Sequence, residues 1–252
     1  MTNLGNPSSH YSNGPIGAAQ SSVYRFVASS TYRMTADARR WRRRVTVSYR
    51  RVDGSTGWNT LQSDPGQETD GDTRTAGIST AYNPNQAAVL YAFRADDGRI
   101  QLQAGTSGTP FDTTVVSEGS PFIACAPISG QNCILVAVEP GKELTPTYGR
   151  LRWLRFSWSP ITGFSLNSLV TEAWLMHSGD PQVAAYWNGS GYEFVVSYRW
   201  QLNYLTYVYL LRKPANTSAS FSYWGQLASS SNATTYVASG STRDLEVFLL
   251  TQ

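Results

Sequence analysis

The feature that most constrains this chain is an order of strand types that recurs along it, although few residues are identical between recurrences. Four segments open with a short apolar strand, at 78–82, 122–126, 183–187 and 234–238, which runs into a polar turn: NPNQ, ISGQN, NGSGY and SGSTRD respectively. Apolar runs broken by Gly, Asn and Ser in this way are hairpin signals. A second strand follows each at 88–94, 134–139, 194–199 and 245–252, and a third at 100–103, 151–158 and 204–211. A fourth begins on an aromatic, at Phe111, Phe164 and Phe221. The first strands start roughly 45 to 60 residues apart, a blade spacing that predicts an all-β β-propeller of four-stranded blades.

The last unit stops after its second strand, while residues 44–61 read as a third strand, a turn and a fourth. Pairing of the N- and C-terminal strands would then close the ring and remove exposed edges. The strand-like stretch at 23–29 leaves the number of blades between four and six, with five expected. Residues 1–20 read as a flexible N-terminal segment, 21–252 as one domain, and 63–76 as a polar loop. A β-sandwich or jelly roll made of the same hairpins is the alternative.

Composition agrees with short strands rather than helices: 15% of residues are charged and 13% are aromatic. The net charge is +3, Lys142 and Lys213 are the only lysines, and Arg39, Arg40, Arg42, Arg43, Arg44, Arg50 and Arg51 cluster. No groove-reading motif accompanies that cluster, so a solvated strand face is expected and no nucleic-acid partner. No run of 18 apolar residues occurs, so no membrane span is expected. The polar N-terminus has no secretory signal, which leaves a cytoplasmic protein or a secreted one whose signal has been removed. Cys125 and Cys133 lie on opposite arms of one hairpin, where they form either a cross-strand disulfide or two buried thiols. Sequons at Asn188, Asn216 and Asn232 are no more than chance supplies.

Phosphate-cradling loops, calcium loops, zinc-ligand spacings and a nucleophile elbow are all missing, so no cofactor and no metal is expected. His10 lies in the tail, and His177 near Asp180 reads as a loop contact. Glu118, Glu139, Glu143, Glu172, Glu193 and Glu246 are the glutamates from which a hydrolytic pair could come, though spacing pairs none of them.

What remains is Trp, Tyr and Arg near strand ends. Arg94, Glu139 and Arg199 close equivalent second strands, with Tyr82, Tyr91, Tyr186, Trp187, Tyr198 and Trp200 nearby. Aromatic planes against a sugar's C–H face, with Arg and Glu bonding its hydroxyls, would make a carbohydrate site. The same rings could instead fill the space between blades.

The stretch AYNPNQAAVLYAFRADDGRIQLQ at 81–103, with Asp97, Gly98 and Ile100 in its turn, resembles a blade of the fungal fucose-binding lectins of the Aleuria type. That resemblance implies a propeller whose sites combine an Arg, a Glu and an aromatic, with Arg94 and Arg199 in the arginine's place. Gln101, Leu102 and Gln103 stand where the family's Glu is expected, which counts against fucose. The leading expectation is therefore a lectin-like protein that binds a glycan or similar small molecule. The rival is a single-site enzyme of secondary metabolism that orients a hydrophobic substrate for cyclisation or a pericyclic reaction, through Trp158, Trp187, Tyr198 and Arg199. A protein-binding scaffold is a third reading, and the oligomeric state is left open.

Overall fold

The computed structural model describes residues 17–20, 23–34, 41–63, 68–69, 78–95, 97–104, 110–117, 119–139, 149–177, 181–202, 205–230, 233–239 and 245–251. Among them there is no helix, and the strands form successive antiparallel sheets. The first contains β1 (Gly17–Gln20), β2 (Tyr24–Met34), β3 (Trp41–Arg51) and β4 (Asn59–Ser63), with β5 (Glu68–Thr69) pairing further along β3. The second is β6 (Ile78–Asn83), β7 (Ala88–Arg94), β8 (Arg99–Ala104) and β9 (Phe111–Val116). The third is β10 (Phe122–Cys125), β11 (Cys133–Val138), β12 (Gly149–Ser159) and β13 (Gly163–Leu166), with β14 (Val170–His177) continuing along the free edge of β12. The fourth is β15 (Gln182–Trp187), β16 (Tyr192–Leu202), β17 (Leu205–Pro214) and β18 (Ser222–Ser230). The described part of the fifth is the hairpin of β19 (Ala233–Ser239) and β20 (Leu245–Thr251).

The main path of every sheet follows sequence order, so the four-strand reading of the second and fourth units matches strand for strand, while the third gains β14, a strand ending at His177, where the sequence reads as a loop. The first strands of consecutive sheets are neighbours in space, β1 beside β6, β6 beside β10, β10 beside β15 and β15 beside β19. Successive sheets therefore pack face to face. Ile134, Val136, Leu151 and Trp153 of the third sheet meet Phe194, Val196 and Leu211 of the fourth. From the opposite face of the third sheet, Ile123, Leu135, Leu154 and Phe156 meet Leu90, Ala92, Ile100 and Leu102 of the second. Coverage of both faces explains why CILVAV in β11 is apolar at every position and buried throughout, where a half-exposed strand would alternate.

The strands at the two chain ends pair differently from expectation. Residues 44–61 do supply the third and fourth strands of a sheet, but β1 and β2 supply its first and second, and β20 pairs with β19 among the described residues. A strand a few residues away closes a far shorter loop than one from the other end of the chain, and so costs less entropy. The stretch at 23–29 is thereby accounted for as β2. Of the N-terminal segment 1–20, residues 17–20 form β1 and the rest lie outside the described residues. The polar loop at 63–76 contributes β5. Residues Arg42, Arg43, Arg44, Arg50 and Arg51 fall in β3, bonded to strands on both sides, while Arg39 and Arg40 lie outside the described residues. No helix among the described residues is long and apolar enough to cross a membrane.

Candidate functional site

The fourth sheet carries an aromatic and charged cluster to which each of its four strands contributes one residue. Tyr186 of β15 lies opposite Glu193 of β16, and Arg212 of β17 lies opposite Val195. In β18 a bulge intervenes, since Leu211 pairs with Tyr223 and Leu210 with Gly225, leaving Trp224 as the extra residue. A bulge of this kind re-aims a side chain. Tyr223 meets Tyr209 on one face, while Trp224 turns to the other and stacks on Tyr186 at 5.8 Å and 14°.

Beneath those rings the Tyr186 hydroxyl donates to Glu193 Oε2 at 2.9 Å, and Arg212 Nη1 stands 3.8 Å from the same oxygen. The Arg212 guanidinium also lies 5.4 Å from the Trp224 ring centre, within cation–π reach. Burial, reinforced by its hydrogen bond to Glu193, pushes the Tyr186 hydroxyl up, so it stays a donor at neutral pH. Glu193 is buried, whereas Trp224 remains 39% exposed and the Arg212 side chain 43%. The cluster thus offers solvent an indole face and a guanidinium above a buried carboxylate.

The opposite face of the same sheet is a row of tyrosines and a buried amine. Trp187 packs edge-on against Tyr192 at 5.1 Å, and Tyr198 against Tyr209, which in turn contacts Tyr207. Burial, with Tyr209 and Tyr223 beside it, pushes the Tyr198 hydroxyl strongly up. Lys213 projects from this face toward the third sheet, its Nζ 3.4 Å from the centre of the Trp153 ring and 5.7 Å from that of Phe221. Glu172 of β14 accepts at Oε1 from Trp153 Nε1 (2.7 Å) and from the Phe221 backbone N–H (3.1 Å). Arg155 donates from Nη2 to the Gln131 carbonyl at 2.6 Å.

Between the second and third sheets, Glu139 accepts from both Arg150 and Arg152, the latter at 2.6 Å. Burial pushes the Glu139 carboxyl up, but the two guanidiniums outweigh it and hold the carboxyl below its ordinary value. Arg152 also donates to the Val116 carbonyl at 3.3 Å. On the other side of that corner is the D-G-R-I turn. Asp97 Oδ1 accepts the Arg99 N–H, and Gly98, at φ +82°, is close enough to Arg94 that a Cβ there would stand 3.6 Å from Nη2. Arg94 and Glu139 therefore flank one corner, but Glu139 is committed to arginines of its own sheet.

The other expected residues are dispersed. Trp158 sits with Phe164 and Phe156 between the second and third sheets. Tyr91 is fully buried on the face of β7 turned away from Leu90 and Ala92. Arg199 shares the Glu193 face of β16 by alternation but lies six residues further along, about 20 Å at strand rise. Trp187 and Tyr198 take the other face, and Trp200 is in β16 with its side chain outside the described residues. The structure does not bring Trp158, Trp187, Tyr198 and Arg199 into one pocket. His10, Asp180, Glu118, Glu143 and Lys142 lie outside the described residues, and His177 ends β14.

Sequence reasoning had Tyr186 but missed Arg212 and Trp224 as its neighbours. Their signal was two consecutive aromatics, Tyr223 and Trp224, in a strand that should alternate. Cys125 and Cys133, opposite each other in β10 and β11, are joined as a disulfide. No protein-family model, curated protein or solved structure matches this chain.

Proposed function

We propose that this chain is a lectin-like β-propeller of five blades that binds a carbohydrate on the exposed face of Trp224. The carrying observation is the Tyr186–Trp224 stack over Glu193 and Arg212. A sugar ring can lay its C–H face on the indole while the forked guanidinium bonds adjacent hydroxyls, and Glu193, already oriented by Tyr186, fixes the arginine. The propeller reading is supported by meander sheets whose first strands adjoin in order. The Cys125–Cys133 disulfide supports an oxidising, extracellular setting. The unlike surroundings of Arg94, Glu139 and Arg199 favour one site over several.

A glycan array followed by calorimetric titration tests this reading. Binding of a monosaccharide or short glycan at one site per chain, weakened about tenfold or more by Trp224→Ala, a loss of about 1.4 kcal/mol, is the expected result. Binding that Trp224→Ala and Arg212→Ala leave unchanged, or no glycan bound at millimolar concentration, overturns it.

A further inference from the structure

Lys213 is one of two lysines in the chain, and it is 1% exposed. Its Nζ has no hydrogen-bond partner, and neither has the Nε of Arg155, itself 7% exposed. Lys213 reaches Trp153 of β12, and Arg155 lies two residues further along β12 on the same face by alternation, so both sit between the third and fourth sheets, on the face of the fourth sheet opposite the Trp224 cluster. Glu172 is the carboxylate that acts on Lys213 there, and its Oε1 is already occupied by Trp153 and by the Phe221 backbone. Among the described residues two buried cations thus share one carboxylate, Lys213 otherwise meeting the Trp153 and Phe221 rings, and two of their donors make no hydrogen bond. Buried charges and buried donors ordinarily have partners.

We infer that a small carboxylate binds between these two sheets, held by Lys213 and Arg155. A carboxylate has two oxygens to accept from the two separate donors, which a spherical anion lacks, and Nζ lies over the Trp153 ring where that ring crosses Phe221 at 88°. The site does not depend on the carbohydrate reading, because it uses a different face and different residues.

Binding is coupled to protonation of the amine. Burial, with Arg155 nearby, pushes the Lys213 ammonium down to about 7, while Glu172 pulls the other way. A bound anion favours the ammonium, so the site takes up a proton when it fills above neutrality. Its affinity then falls about tenfold for each pH unit above the amine's value.

Formate is the probe, added to the intact chain at constant ionic strength with chloride as the reference anion. The expected result is a saturable rise of the unfolding midpoint with formate and not with chloride at pH 6.5. Calorimetry at pH 8, in two buffers of different protonation heat, should show uptake of about one proton per formate bound. Lys213→Met should keep its fold and lose the response. Lys213→Arg should bind without proton uptake and with no dependence on pH between 6.5 and 8.5. A formate response equal in wild type and Lys213→Met, an equal response to chloride, or no response at pH 6.5 overturns the inference.

Discussion

Asn132 donates from Nδ2 to Asn83 Oδ1 at 2.7 Å, tying the turn before β11 to the end of β6 across the boundary between the second and third sheets. Both residues are buried, and the same Asn83 oxygen accepts the Asn85 N–H while Asn132 reaches the Ala126 carbonyl. The bond therefore joins two first hairpins as well as two sheets. Asn132→Leu should destabilise the chain by about 1 to 3 kcal/mol in urea unfolding, because acceptors on both sides lose a buried donor. A double-mutant cycle with Asn83→Ala should return a coupling of about 0.5 kcal/mol or more. Additive effects would show that the pair does not couple the sheets.

The disulfide gives a second prediction. Cys125 and Cys133 are separated by 8 positions and already face each other in a hairpin, so the bridge constrains only a short loop of the unfolded chain. Reduction should lower stability by about 2 to 3 kcal/mol. The β-sheet circular dichroism at low temperature should not change. Collapse of that signal on reduction, before any denaturant, would contradict the assignment of a local role.

Lys213 sets a slope of stability against pH. Its folded value, about 7, lies below the ordinary lysine value of 10.5, so between those two the unfolded chain holds more protons than the folded one. Stability should rise with pH across that window, and the contribution is absent below about 7, where both states are protonated. Measurement from pH 7.5 to 9.5 avoids the tyrosines, whose raised hydroxyls act with the opposite sign above about 10. Lys213→Met should flatten the slope. An unchanged slope in that variant would mean another group sets it.

Glu139 acts at the acid end. Its carboxyl is held below the ordinary value, so its stabilisation is full above that value and is lost as pH falls through the folded one. Glu139→Gln should remove that part of the acid dependence and cost about 1 to 3 kcal/mol at neutral pH, since the amide offers Arg150 and Arg152 one acceptor oxygen and no charge. Thermal midpoints from pH 3 to 7 for both proteins would show it. Parallel curves would rule it out.

The architecture was readable because strand type and turn chemistry are local. NPNQ, NGSGY and the D-G-R-I turn announce their hairpins without reference to the rest of the chain. The site was less readable because it depends on which face a residue takes, and one inserted residue reverses that. Trp224 follows Tyr223, which pairs with Leu211, so alternation puts the indole on the Tyr186 face, and the bulge then reverses the faces of β18 from Gly225 onward. Arg94, Glu139 and Arg199 do end equivalent strands, but whether such an end is available to a ligand depends on neighbouring sheets. Glu139 meets Arg150 and Arg152, which the equivalence of strand ends did not foretell. Lys213 carried no motif at all, and burial of its amine is a property of two sheets together.

Because each sheet uses strands that follow one another directly, a growing polypeptide leaving the ribosome has every partner of one sheet to hand before the next sheet's strands have emerged. Structure can then accumulate from the N-terminus in steps, with short-range pairing first and stacking later. The cation between the third and fourth layers is enclosed late, once Pro214 and Phe221 have emerged, so that buried charge burdens the nascent chain only after three layers exist to hold it.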